Sequence, residues 1–214
     1  MKKIIFIMLF ALMGMSLKAQ TNISNTDTII NLKEVTVYAK QGLSILKSNN
    51  RKGSAHVSVK GKTYLVTRVD IDKSSKYKID ALEFFFNYQW QGIDGEGFYI
   101  KPLILTSENG SPGSEYLESQ KLYFVSKQIN KKMYIDLSHS KLLIENANSF
   151  FVGIEFVATD GKSKFEDFNI TLVPLKKSLN TSFIKGTCPK CKYSPLNLDK
   201  KNGLSLKYNI YYKK

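Results

Sequence analysis

The chain is poor in the residues that most chemistry depends on, with Cys188 and Cys191 as its only cysteines and His56 and His139 as its only histidines in 214 residues. A structural zinc site needs four ligands, so one chain could supply it only by recruiting both histidines to both cysteines; otherwise it would have to be shared between chains. Arginine is equally scarce. Arg51 and Arg68 stand alone among 32 basic residues, and the lysines are scattered without a dense block, so the arginine fork that nucleic-acid readers use for phosphate and guanine is largely missing. There is no Gly-x-Ser-x-Gly elbow to present a nucleophilic serine. No apolar run of about 20 residues follows the N-terminal region, so no membrane-spanning helix is expected there. No window sustains a long 3.6-residue apolar period, which disfavours helical bundles and α/β folds.

What is present begins with Met1-Lys2-Lys3, an apolar stretch from Ile4 to Leu17, and then Lys18-Ala19-Gln20. These match the charged, apolar and small-residue regions of a secretory signal peptide, so residues 1–19 are expected to be removed after Ala19. No cysteine near the cut offers a site for a lipid anchor. About 195 residues would remain, a size that suits one domain with a substantial core. Residues 20–31 are polar and rich in Thr and Asn and read as a flexible leader. Residues 32–214 are expected to form a single domain with a cysteine-containing C-terminal segment. The formal charge of +14 drops by three when Lys2, Lys3 and Lys18 leave, and the remainder stays strongly basic. An exported basic protein meets anionic glycans or a charged envelope more often than DNA, so a glycan or anionic envelope component is the expected partner, with no nucleic acid.

From Leu32 onward short alternating segments rich in β-branched and aromatic residues follow one another closely. Leu32–Tyr38 suits a half-buried strand. Gly42, Ser48 to Asn50 and Gly53 mark a loop with room for one helical turn at Leu43–Lys47. Ala55–Val59 and Tyr64–Val69 flank Gly61-Lys62 and could form a hairpin. Further strands are expected at Ile79–Trp90, Phe98–Leu105, Lys121–Val125, Met133–Leu137, Phe150–Val157, Phe168–Val173, Ser182–Lys185 and Leu204–Tyr212. Turns are expected between them, among others at Glu108–Gly113. The pattern predicts an all-β fold, an antiparallel β-sandwich of jelly-roll type with about ten strands.

Three of these stretches carry a resemblance. Ser107-Glu108-Asn109-Gly110-Ser111-Pro112-Gly113 with Tyr116-Leu117, Met133-Tyr134-Ile135-Asp136-Leu137-Ser138 and Phe150-Phe151-Val152-Gly153-Ile154-Glu155-Phe156 together resemble exported β-sandwich proteins of the Bacteroidota type, carboxypeptidase-regulatory-like or uncharacterised. The resemblance covers roughly Leu32 to Val157. It implies architecture and an exported location rather than an activity.

Candidate sites are few. Cys188-Pro189-Lys190-Cys191 could close a small disulfide loop, as suits an exported protein, provide half of a zinc knuckle, or act as a redox pair. Redox chemistry wants a helix N-terminus behind the first thiol, and Tyr193-Ser194-Pro195 supply none. Asp136-Leu137-Ser138-His139-Ser140 gathers an acid, hydroxyls and an imidazole, but five consecutive residues cannot converge as a triad, and a capped turn explains them. His56 lies in an alternating strand and could face core or solvent. Asp94 and Glu96 in Asp94-Gly95-Glu96-Gly97 are weak candidates for a calcium site, short of the six to eight oxygens that ion takes. Tyr88, Trp90 and Tyr99 flank that loop and could stack on sugar faces, although alternating aromatics also serve core packing. No cofactor and no catalytic residue is expected. The reading is a non-enzymatic, periplasmic or cell-surface sandwich with a binding or envelope-structural role; the alternatives are a carbohydrate-binding module around Trp90 and a metal- or thiol-dependent enzyme.

Overall fold

The structure is a computed structural model, and it describes residues 42–48, 53, 55–59, 62–86, 97–117, 121–126, 132–158, 168–175, 181–186, 188 and 190–214. The fold is all-β, and every strand pairing among these residues is antiparallel. In chain order the strands are β1 (Ser44–Lys47), β2 (Ala55–Val59), β3 (Thr63–Asp70), β4 (Tyr77–Phe85), β5 (Gly97–Glu108), β6 (Ser111–Glu115), β7 (Tyr123–Ser126), β8 (Lys132–Asp136), β9 (Leu143–Ile144), β10 (Ser149–Ala158), β11 (Phe168–Pro174), β12 (Ser182–Gly186), β13 (Ser194–Pro195), β14 (Leu204–Ser205) and β15 (Lys207–Lys213). A single 3-10 turn, Ser138–Ser140, is the only helical element described.

The larger sheet runs β13-β12-β3-β10-β5-β6, with β7 also pairing β5. The smaller one runs β1-β15-β4-β8, with β9 on β4, and β14-β11-β2 form a third, minor sheet. Period-two alternation places the core between the two main sheets. Phe150, Val152, Ile154 and Phe156 of β10 share one buried cluster with Ile79, Leu82 and Phe84 of β4 and with Tyr208, Ile210 and Tyr212 of β15. Rings interlock inside it: Phe98 lies 5.7 Å from Phe86, edge to face, and 5.6 Å from Phe156. A register shift between Tyr211 and Tyr212, opposite Ala81 and Ile79, bends the smaller sheet as bulges do.

Each strand expected from Ala55 onward has a counterpart among the described residues, with Leu204–Tyr212 split into β14 and β15; residues 87–90 of the expected Ile79–Trp90 strand lie outside the described residues. Two expectations are overturned. Ala55–Val59 and Tyr64–Val69 do not form a hairpin: β2 pairs β11 in the minor sheet, whereas β3 sits between β12 and β10. A short turn does not oblige neighbouring strands to pair when each finds a longer partner elsewhere in the chain. The second concerns Leu43–Lys47, where β1 replaces the helical turn, because Ser44–Lys47 pair along β15 and form the edge of the smaller sheet. The stretch read as a turn at Glu108–Gly113 is narrower than expected. Asn109 and Gly110, with φ of 52° and 79°, are the two central residues of a tight hairpin that pairs Glu108 with Ser111, and β6 starts at once. Leu32–Tyr38 lies outside the described residues.

A lysine and tyrosine face on the larger sheet

The central strands of the larger sheet, β3, β10 and β5, bury apolar residues on both faces. On β10 the residues between the core-facing ones are Phe151, Gly153 and Glu155, and Phe151 and Glu155 are buried. Phe151 joins Val66, Leu103, Leu105 and Phe183 in a second cluster on the face turned away from the main core, with Tyr64 and Tyr193 packed against it.

Register then assembles a row of side chains across this outer face. Lys185 of β12 is opposite Tyr64 of β3, Tyr64 is opposite Glu155 of β10, and Glu155 is opposite Lys101 of β5. On the far side Ile184 pairs with Ser194, which sets Tyr193 beside Lys185. Directly opposed residues on one face are neighbours, so five consecutive members of the row can interact. The Lys185 ammonium sits over two rings, 5.3 Å from the Tyr64 centroid and 5.2 Å from that of Tyr193. Lys101 is bound to Glu115 of β6 at 3.0 Å. Glu155, nearly fully buried, is ion-paired with Lys62, which also lies 5.9 Å from the Tyr64 ring. The hydrogen bond to Glu155 holds the Lys62 ammonium above its usual range, with burial opposing it. Burial, and next the Glu155 charge, pushes the Tyr64 phenol up. Tyr193 is raised further, by burial first and then by Tyr64, Glu115 and Glu155.

The cysteines position this row. Cys188 and Cys191 are joined in a disulfide, and the Cys191 amide donates to the Cys188 carbonyl at 2.9 Å. The bridged turn stands beside Gly186 at the end of β12, near the Cys191 sulfur, and returns the chain along β12 as β13. Tyr193 is thereby delivered onto the sheet two residues after the bridge.

Of the residues singled out from the sequence, Tyr99 lies on this same face, half-buried, with its ring 4.9 Å from that of Phe124. Tyr88, Trp90, Asp94 and Glu96 lie outside the described residues, as does the side chain of His56. His139 is exposed in the 3-10 turn, where Asp136 accepts from the Ser138 amide at 2.9 Å and Ser140 donates to the Leu137 carbonyl at 2.6 Å. That arrangement caps a turn and gathers no triad. No group of three or more metal-binding side chains occurs among the described residues.

Sequence reasoning missed Tyr64, Lys185, Tyr193, Glu155 and Lys101. One signal was available: Phe150 to Phe156 is apolar at both parities except for Glu155, and a carboxylate in a strand buried on both faces demands a cationic or hydroxyl partner.

No family model and no curated protein sequence matches the chain. Among solved structures, the cysteine protease and lectin-like domains of Cwp84, a surface layer associated protein of Clostridium difficile, match with a TM-score of 0.47 and 13% identity over 72% of this chain and 32% of that one. Clostridial Cwp84 after propeptide cleavage matches with a TM-score of 0.45 and 14% identity over 81% of this chain and 38% of that one. The chain therefore spans about a third of the length of these two structures.

Proposed function

We propose that the protein is an exported, non-enzymatic β-sandwich that binds carbohydrate through the outer face of its larger sheet. The observation that carries this reading is the row Tyr193, Lys185, Tyr64, Glu155, Lys101, in which two rings stand among charged groups across four strands and the residue that leads into β13. Sugars present both an apolar ring face and a fringe of hydroxyls, and such a row offers aromatic surface for the first and ammonium and carboxylate groups for the second. Rigid strands hold it in place, so little ordering is needed on binding. The N-terminal signal pattern supports export, and a disulfide persists in oxidising compartments. The resemblance to exported Bacteroidota-type sandwich proteins belongs to the same reading.

The test is a glycan array probed with the secreted protein and with its Tyr64→Ala, Tyr193→Ala and Trp90→Ala variants. Binding that falls by about tenfold in the two tyrosine variants, as the loss of about 1.4 kcal/mol would give, is the expected result. No binding to any glycan would overturn the reading. Loss in Trp90→Ala alone would move the site to the neighbourhood of Tyr88 and Trp90.

A further inference from the structure

We infer that Lys185 is the anion receptor of this face, and that the ligand is an acidic polysaccharide whose carboxylate or sulfate groups it takes. The inference rests on the carbohydrate reading above and goes further, because it names the ligand class. Three lysines point charge at the row, and two are already matched: Lys101 by Glu115 and Lys62 by Glu155. Lys185 lies over the Tyr64 and Tyr193 rings and has no ion-pair or hydrogen-bond partner among the described residues. A ring quadrupole attracts an ammonium and fixes its place, yet it leaves N–H donors to be satisfied by water or by a ligand. The site is thus a cation held in position at the surface with its hydrogen-bonding capacity unspent.

Its surroundings favour an anion as the group that takes those donors. Glu155 in the row and Glu115 beside it each face a lysine at close range, which offsets their repulsion of an incoming acid. Lys190 and Lys192, both exposed, precede Tyr193 in the chain and add positive charge to this end of the molecule. A neutral sugar would gain the ring contacts alone. An acidic one adds a charge-assisted hydrogen bond to an ammonium already restrained by two rings, so less freedom is lost on binding.

The experiment compares chemically matched polymers: polygalacturonate against its fully methyl-esterified form, and dextran sulfate against dextran. Affinities are measured by calorimetry on the full secreted chain, on Lys185→Gln and on Lys185→Arg. The expected result is that wild type prefers at least one acidic polymer over its neutral counterpart. Lys185→Gln should lose about tenfold toward that polymer, with a shallower salt dependence and unchanged thermal melting, and Lys185→Arg should retain binding. Which pair discriminates tells carboxylate from sulfate. Equal binding of acidic polymers by Lys185→Gln and wild type would overturn the inference, and if Tyr64→Ala and Tyr193→Ala still weaken glycan binding, the carbohydrate reading survives it. Binding of anionic vesicles with no polysaccharide bound at all would sink both.

Discussion

The hydroxyl of Thr67 lies 2.6 Å from that of Ser205, 138 positions further along the chain, and both are buried. Ser205 gives its own proton to the Leu206 carbonyl at 2.7 Å, so it must accept from Thr67, and Thr67 in turn accepts from Ser182 at 3.0 Å. This relay ties β3 and β12 of the larger sheet to β14 of the minor one. Thr67→Val keeps the shape but leaves the Ser182 proton without its acceptor and Ser205 without its donor. A loss of about 1–3 kcal/mol is expected in urea unfolding, with the midpoint moving and the slope unchanged. A wild-type midpoint would show that the relay contributes nothing.

Glu83 performs a similar task on the outer face of the smaller sheet. Its carboxylate is buried, accepts from the Asn209 amide at 2.6 Å and the Tyr211 hydroxyl at 2.8 Å, and lies 3.7 Å from the Lys132 ammonium. Glu83→Ala strands two donors in a poorly solvated place and is expected to cost about 2–4 kcal/mol. Lys132, whose side chain is 56% exposed, is expected to matter by less than about 1 kcal/mol when changed to Ala. Chemical denaturation of the two variants side by side decides it; equal losses would contradict the assignment.

Gly153 lies between Val66 and Leu103 in the same outer face as the lysine and tyrosine row. A methyl group there would run into the Leu65 carbonyl oxygen and the Val66 backbone, neither of which can swing aside as a side-chain tip would. Gly153→Ala must therefore push β3 from β10, and overpacking of this kind costs about 1–3 kcal/mol. Because Tyr64 and Glu155 sit on those two strands, glycan affinity should fall along with the melting temperature. An unchanged melt would mean that the strands part without cost.

How legible this was depends on what sets each feature. Phe150 to Phe156 announced a strand because every alternate residue is apolar, and Glu108–Gly113 announced a turn, which the structure narrows to Asn109-Gly110 at positive φ. Pairing was another matter. Nothing local in Ala55–Val59 says that its partner is Phe168–Pro174, since the choice is made by sequence-distant contacts. The outer face was hidden for the same reason: Lys185, Tyr64, Glu155 and Lys101 come from four strands and Tyr193 from the residue before a fifth, and they become neighbours only through register. The cysteine pair was visible, but its use in turning the chain back so that Tyr193 meets Lys185 was not.

Alkaline pH should unfold the protein from a common cause. Burial, and next the charge of Asp70, raises the Tyr208 phenol; burial raises Tyr193, ahead of Tyr64, Glu115 and Glu155; and burial, followed by Asp136, pushes Tyr123 up to about 12 from an ordinary 10.0. Lys62 is raised from 10.5 chiefly by its hydrogen bond to Glu155. For each group the unfolded chain gives up its proton first, so above the unfolded value the folded state binds more protons, and stability falls as pH rises. The contribution is fully present below pH 10.0, the ordinary phenol value, and is lost as pH climbs through the folded values. Melting temperature is expected to hold level from about pH 7 to 9 and then to drop, with phenolate absorbance rising in step with unfolding. Tyr208→Phe removes one of these protons while keeping the ring, so its decline should be shallower than that of wild type. Parallel pH profiles for the two proteins would show that Tyr208 is not one of the groups responsible.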